Sequence, residues 1–258
     1  MPTNKPYRKK NPVRKPLENK PSSELVRLNK YIANAGVCSR RDADKLIEQG
    51  KIKINGAVMK ELGYKVKSSD TVEYDGKSLS QEKPVYILLN KPKDFITTLD
   101  DPQGRRTVME LIKRKGPERI YPVGRLDRKT TGLLLLTNDG DLAKNLSHPS
   151  GEVQKLYEVT LDKPISQDDF DRLEDGIELE DGFVKPNEMA VVSEDNRTLG
   201  VQIHIGRNRI VRRMFESLGY EVIRLDRVMY ANLTKKDLPR GKWRYLSQKE
   251  VIQLKYLK

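Results

Sequence analysis

Four consecutive leucines, Leu133 to Leu136, follow directly on a charged loop that runs from Gly124 to Gly132. An apolar run this short cannot cross a membrane. It fits a strand covered on both faces. The chain must therefore build a sheet with apolar packing on each side, and the loop is anchored to the centre of that sheet. One carboxylate, Asp127, stands in the loop between Arg125 and Arg128. A charged loop tied to a central strand is a place where a rigid scaffold can hold a reactive acid.

The 258 residues suffice for a catalytic domain plus a small module. A formal net charge of +13 points to a polyanionic partner, nucleic acid before an anionic membrane. No long apolar run spans or anchors, and no signal peptide opens the sequence. The single cysteine, Cys38, excludes an intrachain disulfide and fits a reducing cytoplasm. With only His148 and His204 beside it, no zinc spacing arises. Neither a structural metal nor histidine-based nucleophilic chemistry is expected.

Residues 1–24 carry seven Lys or Arg against Glu18 and Glu24, with five prolines and almost nothing apolar. Such a segment cannot bury enough surface to fold, and the expectation is a disordered basic tail. A compact unit follows at 27–82. Leu28, Ile32 and Ala35 have helical spacing, with Gly36 at the helix end. Ser39 fits an N-cap for a second helix through Ala43, Leu46 and Ile47. Ile52 and Ile54 alternate into Asn55-Gly56, a hairpin turn signal.

This helix–helix–hairpin order resembles the small RNA-binding domain named after ribosomal protein S4. Residues 27–32, 39–41 and 52–56 carry the likeness. Arg40 and Arg41 stand in the first turn of the second helix, where free backbone amides favour phosphate. Lys51 and Lys53 alternate with the buried isoleucines and face solvent. These four are the expected RNA contacts of the module.

Residues 81–84 read as a linker to a second domain, 85–258. Tyr86 to Asn90 form a buried strand that ends at Lys91-Pro92. Thr107 and Glu110 make a capping box before Val108, Leu111 and Ile112. Tyr157 to Leu161 alternate as a strand, and Ser166 caps an acidic helix that closes near Gly176. Val201, Ile203 and Ile205 share a strand face, with His204 opposite. In 207–219, Val211, Met214, Phe215 and Leu218 make a core-facing helical stripe. Arg209, Arg212 and Arg213, spaced i, i+3 and i+4, share another face. Three arginines so placed repel one another unless something anionic, phosphates or a carboxylate, sits opposite; the alternative is a solvated basic face.

The Gly124-Arg-Leu-Asp127 wording resembles the catalytic motif of pseudouridine synthases, in the branch that modifies ribosomal RNA. Asn90-Lys-Pro92, Lys155-Leu-Tyr157, residues 206–215 and the ending at 222–227 and 238–246 continue the likeness across about 27–258. Ile210 stands where that family usually has Gln. The resemblance implies that Asp127 is catalytic, that Tyr157 lies against the flipped uracil, and that Arg212, or alternatively Arg209, pairs with Asp127. It implies that Arg125 fills the space left by the base. Arg209 and Arg213 join the RNA contacts.

The function implied is isomerisation of uridine in ribosomal RNA; the C-terminal motifs and the basic extension make the B type among the large-subunit enzymes the expected one. A small-subunit or transfer-RNA target is the alternative among enzymes, and a non-catalytic ribosome-assembly factor the alternative outside them. The expected partner is ribosomal RNA, as a precursor or in a partly assembled ribosome, with no membrane, no metal and no small-molecule cofactor, and the protein a cytoplasmic monomer. The expected architecture is α+β, a helix–hairpin module followed by a central, mainly antiparallel sheet flanked by helices. The cleft should be lined by the Asp127 loop and the Arg212 helix.

Overall fold

The computed structural model describes residues 25–114, 116–148 and 152–257. The expected basic tail, 1–24, lies outside them.

The first module holds β1 (Val26–Arg27), α1 (Leu28–Asn34), α2 (Arg40–Glu48), β2 (Ile52–Ile54), β3 (Ala57–Met59), β4 (Lys65–Val66), β5 (Val72–Tyr74) and β6 (Lys77–Ser78). Four strands form one sheet in the order β3-β2-β5-β6, and β1 pairs with β4. The β2–β3 hairpin turns at Asn55 (φ 51°) and Gly56 (φ 83°), the left-handed pair that matches strand twist. Ser39 caps α2 by accepting from the Asp42 amide at 3.2 Å. Leu28, Ile32, Ala43, Ile47, Ile52 and Val72 are fully buried together and make a small separate core.

The second domain begins with β7 (Tyr86–Lys91), a 3₁₀ turn at Val108–Leu111, β8 (Tyr121–Pro122), β9 (Thr131–Thr137) and α3 (Gly140–Ser147). It continues with β10 (Lys155–Leu161), α4 (Gln167–Asp175), β11 (Ile177–Leu179), β12 (Gly182–Val184), β13 (Glu188–Val191) and β14 (Thr198–Ile203). It closes with α5 (Ile210–Glu216), β15 (Val222–Tyr230), β16 (Leu233–Thr234), β17 (Trp243–Tyr245) and α6 (Gln248–Lys255). The central sheet runs β13-β14-β10-β15-β9-β7-β17, with β16 added to β15 and β8 to β9.

The leucine run is β9, and all four side chains are fully buried. Leu134 and Leu136 face one core with Ile87, Leu89, Val159, Met214 and Phe215, under α4 and α5. Leu133 and Leu135 face the other with Leu88, Leu142, Leu146 and Leu254, under α3 and α6. Each such leucine stabilises the fold by roughly 1.5–3 kcal/mol relative to exposure.

Two features position the site. First, β9 and β15 run parallel and pair only at Thr131–Asp226 and Gly132–Arg227, while their other described neighbours are antiparallel. Second, β15 has one extra residue, Val228, opposite the Leu156–Tyr157 step of β10. A bulge of this kind kinks its strand and re-aims the flanking side chains. The sheet therefore splays at its middle, where Asp127, Tyr157 and Arg227 lie.

The modules meet through the linker. The Glu82 carboxylate accepts from the Arg119 amide at 3.0 Å and from Asn138 Nδ2 at 3.1 Å, and its own amide donates to the Asn34 carbonyl. Lys30 of α1 reaches Asp141 of α3 at 2.7 Å.

Candidate active site

A cavity of about 260 Å³ opens where the sheet splays. Its walls include Gly124 to Asp127, Leu146, Lys155, Tyr157, Arg209 and Arg227. Both cores contribute, since Tyr157 and Val211 belong to one and Leu146 and Tyr230 to the other.

Asp127 is half-buried. Among the described residues its carboxylate has no hydrogen-bond or ion-pair partner. What holds it is its backbone. The fully buried Lys91 sends its ammonium beneath the loop, donating to the carbonyls of Asp127 at 3.0 Å and Thr130 at 2.8 Å, with Pro92 at 3.2 Å and Arg128 at 3.4 Å further out. Thr130 N–H also donates to the Asp127 carbonyl at 3.0 Å, closing the turn. Thr97 clamps the residue before, accepting from Leu126 N–H and donating to the Leu126 carbonyl at 2.8 Å. Burial pushes the Lys91 ammonium down to about 8, against the pull of Asp127 and Asp94.

Tyr157 is 8% exposed and lies in the same wall, directly after the bulge step. Lys155, two residues earlier on the same strand face, donates to the His204 carbonyl at 2.5 Å. Burial, and then the neighbouring Arg227, hold its ammonium down to about 8. Arg125 is exposed in the cavity wall.

The three arginines of 207–219 do not share a face. The helix starts only at Ile210, because Arg209 takes a left-handed backbone (φ 47°, ψ 29°) and turns the chain there. Arg209 stays in the cavity wall and pairs with Glu216 at 3.0 Å. Arg213 turns away to Asp181 at 2.8 Å. Arg212 is 5% exposed and lies outside the cavity lining.

The expected direct Asp127–Arg212 bond is absent among the described residues. Arg212 Nη1 is committed to the Val222 carbonyl at 2.6 Å, and its Nε is buried without a partner. Burial, and then Arg209, pull the Arg212 pKa down, against the pull of Asp127.

On the first module, Arg40, Arg41, Lys51 and Lys53 are all exposed, as expected. Arg40 opens α2 and donates to Asn29 Oδ1 at 3.3 Å. Among the described residues, no cluster of three or more His, Cys, Asp or Glu side chains has metal-binding geometry.

Sequence reasoning overlooked Lys91, Lys155 and Arg227 as site residues. The signal was present for Arg227. Asp226 and Arg227 are charged neighbours inside the strand Val222–Tyr230, and a charge in a central strand requires a partner. Asp226 has its partners in Arg240 at 2.8 Å, Lys235 at 2.6 Å and Thr131 at 2.7 Å.

Residues 85–217 match the RNA pseudouridylate synthase family, and residues 26–72 match the S4 domain. The chain belongs to the RNA pseudouridylate synthase family. It is 46% identical over 237 residues to the ribosomal large subunit pseudouridine synthase B of Bacillus subtilis, covering 90% of this chain and 97% of that one. It is 45% identical over 233 residues to an uncharacterized RNA pseudouridine synthase of Aquifex aeolicus, covering 89% and 93%. A dual-specificity RNA pseudouridine synthase of Escherichia coli is 36% identical, with 89% and 78% covered. Among solved structures, a crystal structure of a pseudouridylate synthase superposes with a TM-score of 0.63 at 30% identity, covering 89% of this chain and 99% of that one. The protein is thus an RNA pseudouridine synthase with an N-terminal S4 domain.

Proposed function

We propose that this synthase isomerises a uridine of large-subunit ribosomal RNA, with Asp127 as the catalytic carboxylate. One observation carries the site assignment. Among the described residues the Asp127 carboxylate has no partner and lines a cavity, while its backbone is fixed by Lys91 and Thr130. A half-buried carboxylate that is held by its backbone and left open at the cavity wall is placed to meet a substrate. The choice of RNA follows the name of the Bacillus subtilis relative.

Tyr157 offers a ring for the flipped base to stack on, and a hydroxyl for a late proton transfer. Arg125 stands at the rim to take the place of the base in the RNA. Arg212 stands behind the cavity wall as a positive charge without a direct bond to Asp127 among the described residues. Extrusion costs a few kcal/mol of stacking and pairing. The exposed Arg40, Arg41, Lys51 and Lys53 offset that cost through phosphate contacts. Two routes are open to a carboxylate at the sugar–base junction. It can attack C1′ or remove the C2′ proton. Both break the C1′–N1 bond, let the uracil turn, and join C5 to C1′. No net redox change occurs and no cofactor is required. The enzyme works as a cytoplasmic monomer.

The test is pseudouridine mapping of ribosomal RNA from cells lacking the protein, complemented with wild type or Asp127→Asn. One large-subunit site lost on deletion, regained with wild type and not with Asp127→Asn, is the expected result. An unchanged map, or recovery with the variant, overturns the assignment.

A further inference from the structure

Two positive charges stand deep in the cavity wall with no carboxylate against them among the described residues. Arg227 is 3% exposed. Its Nε donates to the Leu133 carbonyl at 2.7 Å, and its guanidinium lies 4.6 Å from the Tyr230 ring centre. Its terminal nitrogens have no hydrogen-bond partner among the described residues, and Nη2 is wholly enclosed. Lys155 gives one hydrogen bond to a carbonyl, and the two cations repel. Burying an unpaired guanidinium beside an ammonium is unfavourable, and folding alone gives no reason for it. Such a pair fits an anion that arrives with the substrate.

Depth says which anion. The nucleotide's phosphates stay with the RNA strand at the rim, where Arg125 is exposed and Arg209 is 44% exposed. Arg227 sits opposite Tyr157 in the strand register, on the floor where the base enters. Negative charge appears on the base during the reaction itself. When the C1′–N1 bond breaks, its electron pair leaves with N1 and spreads to the ring oxygens O2 and O4. C5 then bonds to C1′ and loses its proton, while N1 gains one, so composition and charge are restored.

We propose that Arg227, assisted by Lys155, is a catalytic residue that hydrogen-bonds the uracil anion released on glycosidic cleavage. This rests on the reading of Asp127 as the catalytic carboxylate. Donors fixed in place before the charge develops stabilise it without reorganisation. The Nε bond to Leu133 and the Tyr230 ring hold the guanidinium in that position.

The experiment measures single-turnover rearrangement on transcribed large-subunit ribosomal RNA carrying tritium at uridine C5. The variants are Arg227→Met, Arg227→Lys, Lys155→Met and Asp127→Asn, each checked by thermal melting and by RNA affinity. Arg227→Met is expected to slow the step by about 10²–10³-fold, as for loss of one charge-stabilising donor. Arg227→Lys should lose less, and RNA affinity should change by no more than about threefold. A second RNA carries 5-fluorouridine, with the product followed by mass spectrometry. Fluorine stabilises the departing anion, so the Arg227→Met deficit should shrink. An equal deficit on both RNAs makes Arg227 a packing residue and overturns the proposal. Wild-type rate in Arg227→Met with Asp127→Asn inactive overturns it alone. Activity in Asp127→Asn overturns the reading beneath it. Should Arg227→Met fail to fold, Arg227→Lys and Lys155→Met carry the same comparison.

Discussion

The ammonium of Lys91 lies 3.0 Å from the backbone carbonyl of Asp127 and 2.8 Å from that of Thr130, so one buried cation at the end of β7 sets the shape of the Asp127 loop. Lys91→Met keeps the length and removes the donor. It should leave several loop carbonyls unpaired and lower stability by about 2–4 kcal/mol. Urea unfolding reads that loss. The single-turnover rate should fall by more than the unfolded fraction explains, because Asp127 loses its support.

Gly132 is the point where β9 passes closest to β15. Its φ is +106°, and an added Cβ would sit 2.3 Å from the Arg227 carbonyl oxygen and 2.5 Å from its nitrogen. Gly132→Ala should therefore push the two strands apart and cost about 3 kcal/mol from backbone strain and overpacking. Thermal melting checks it. A neutral result would mean that the strand pair can part there without strain.

The reaction should slow as pH rises through about 8, where the half-buried Lys155 ammonium gives up its charge. Lys91 is also held near 8, so the assignment comes from Lys155→Arg, which should move the alkaline limb upward. An unmoved limb would assign it to Lys91. The stability sign is separate. Each lysine has a folded pKa below the ordinary 10.5, so the unfolded chain binds more protons between the two values. The contribution of each lysine to stability therefore rises with pH from about 8 to 10.5.

The exposed basic residues of the S4 module should show themselves in salt dependence. Arg40→Ala with Arg41→Ala should weaken RNA binding uniformly and flatten log K against log salt by about 1 for each phosphate no longer neutralised. Filter binding across a salt series measures this. An unchanged slope would move the RNA path off α2.

The sequence made the leucine strand legible because both its faces are packed, and the hairpin at Asn55-Gly56 because the turn needs left-handed backbone. Ser39, Ser166 and the Thr107–Glu110 box were readable as caps for a similar local reason. The arginines of 207–219 were misread as one helical face. Helical spacing says nothing about a left-handed Arg209, which is fixed by the loop that precedes it. The supposed Asp127–Arg212 bond failed because the Val222 carbonyl, ten residues on, claims the guanidinium. Lys91 and Lys155 went unnoticed as site residues because their roles depend on carbonyls far away in sequence, at Thr130 and His204.

Helix α3 touches the S4 module at one end, through Lys30 and Asp141, and the wall of the cavity at the other, through Leu146 and Ser147. The Glu82–Asn138 bond braces the same starting end. At 1.5 Å per residue the helix is a strut of about 12 Å. A tilt imposed where RNA docks thus becomes a sideways displacement of the pocket wall. One short helix thus joins the S4 module to the cavity wall.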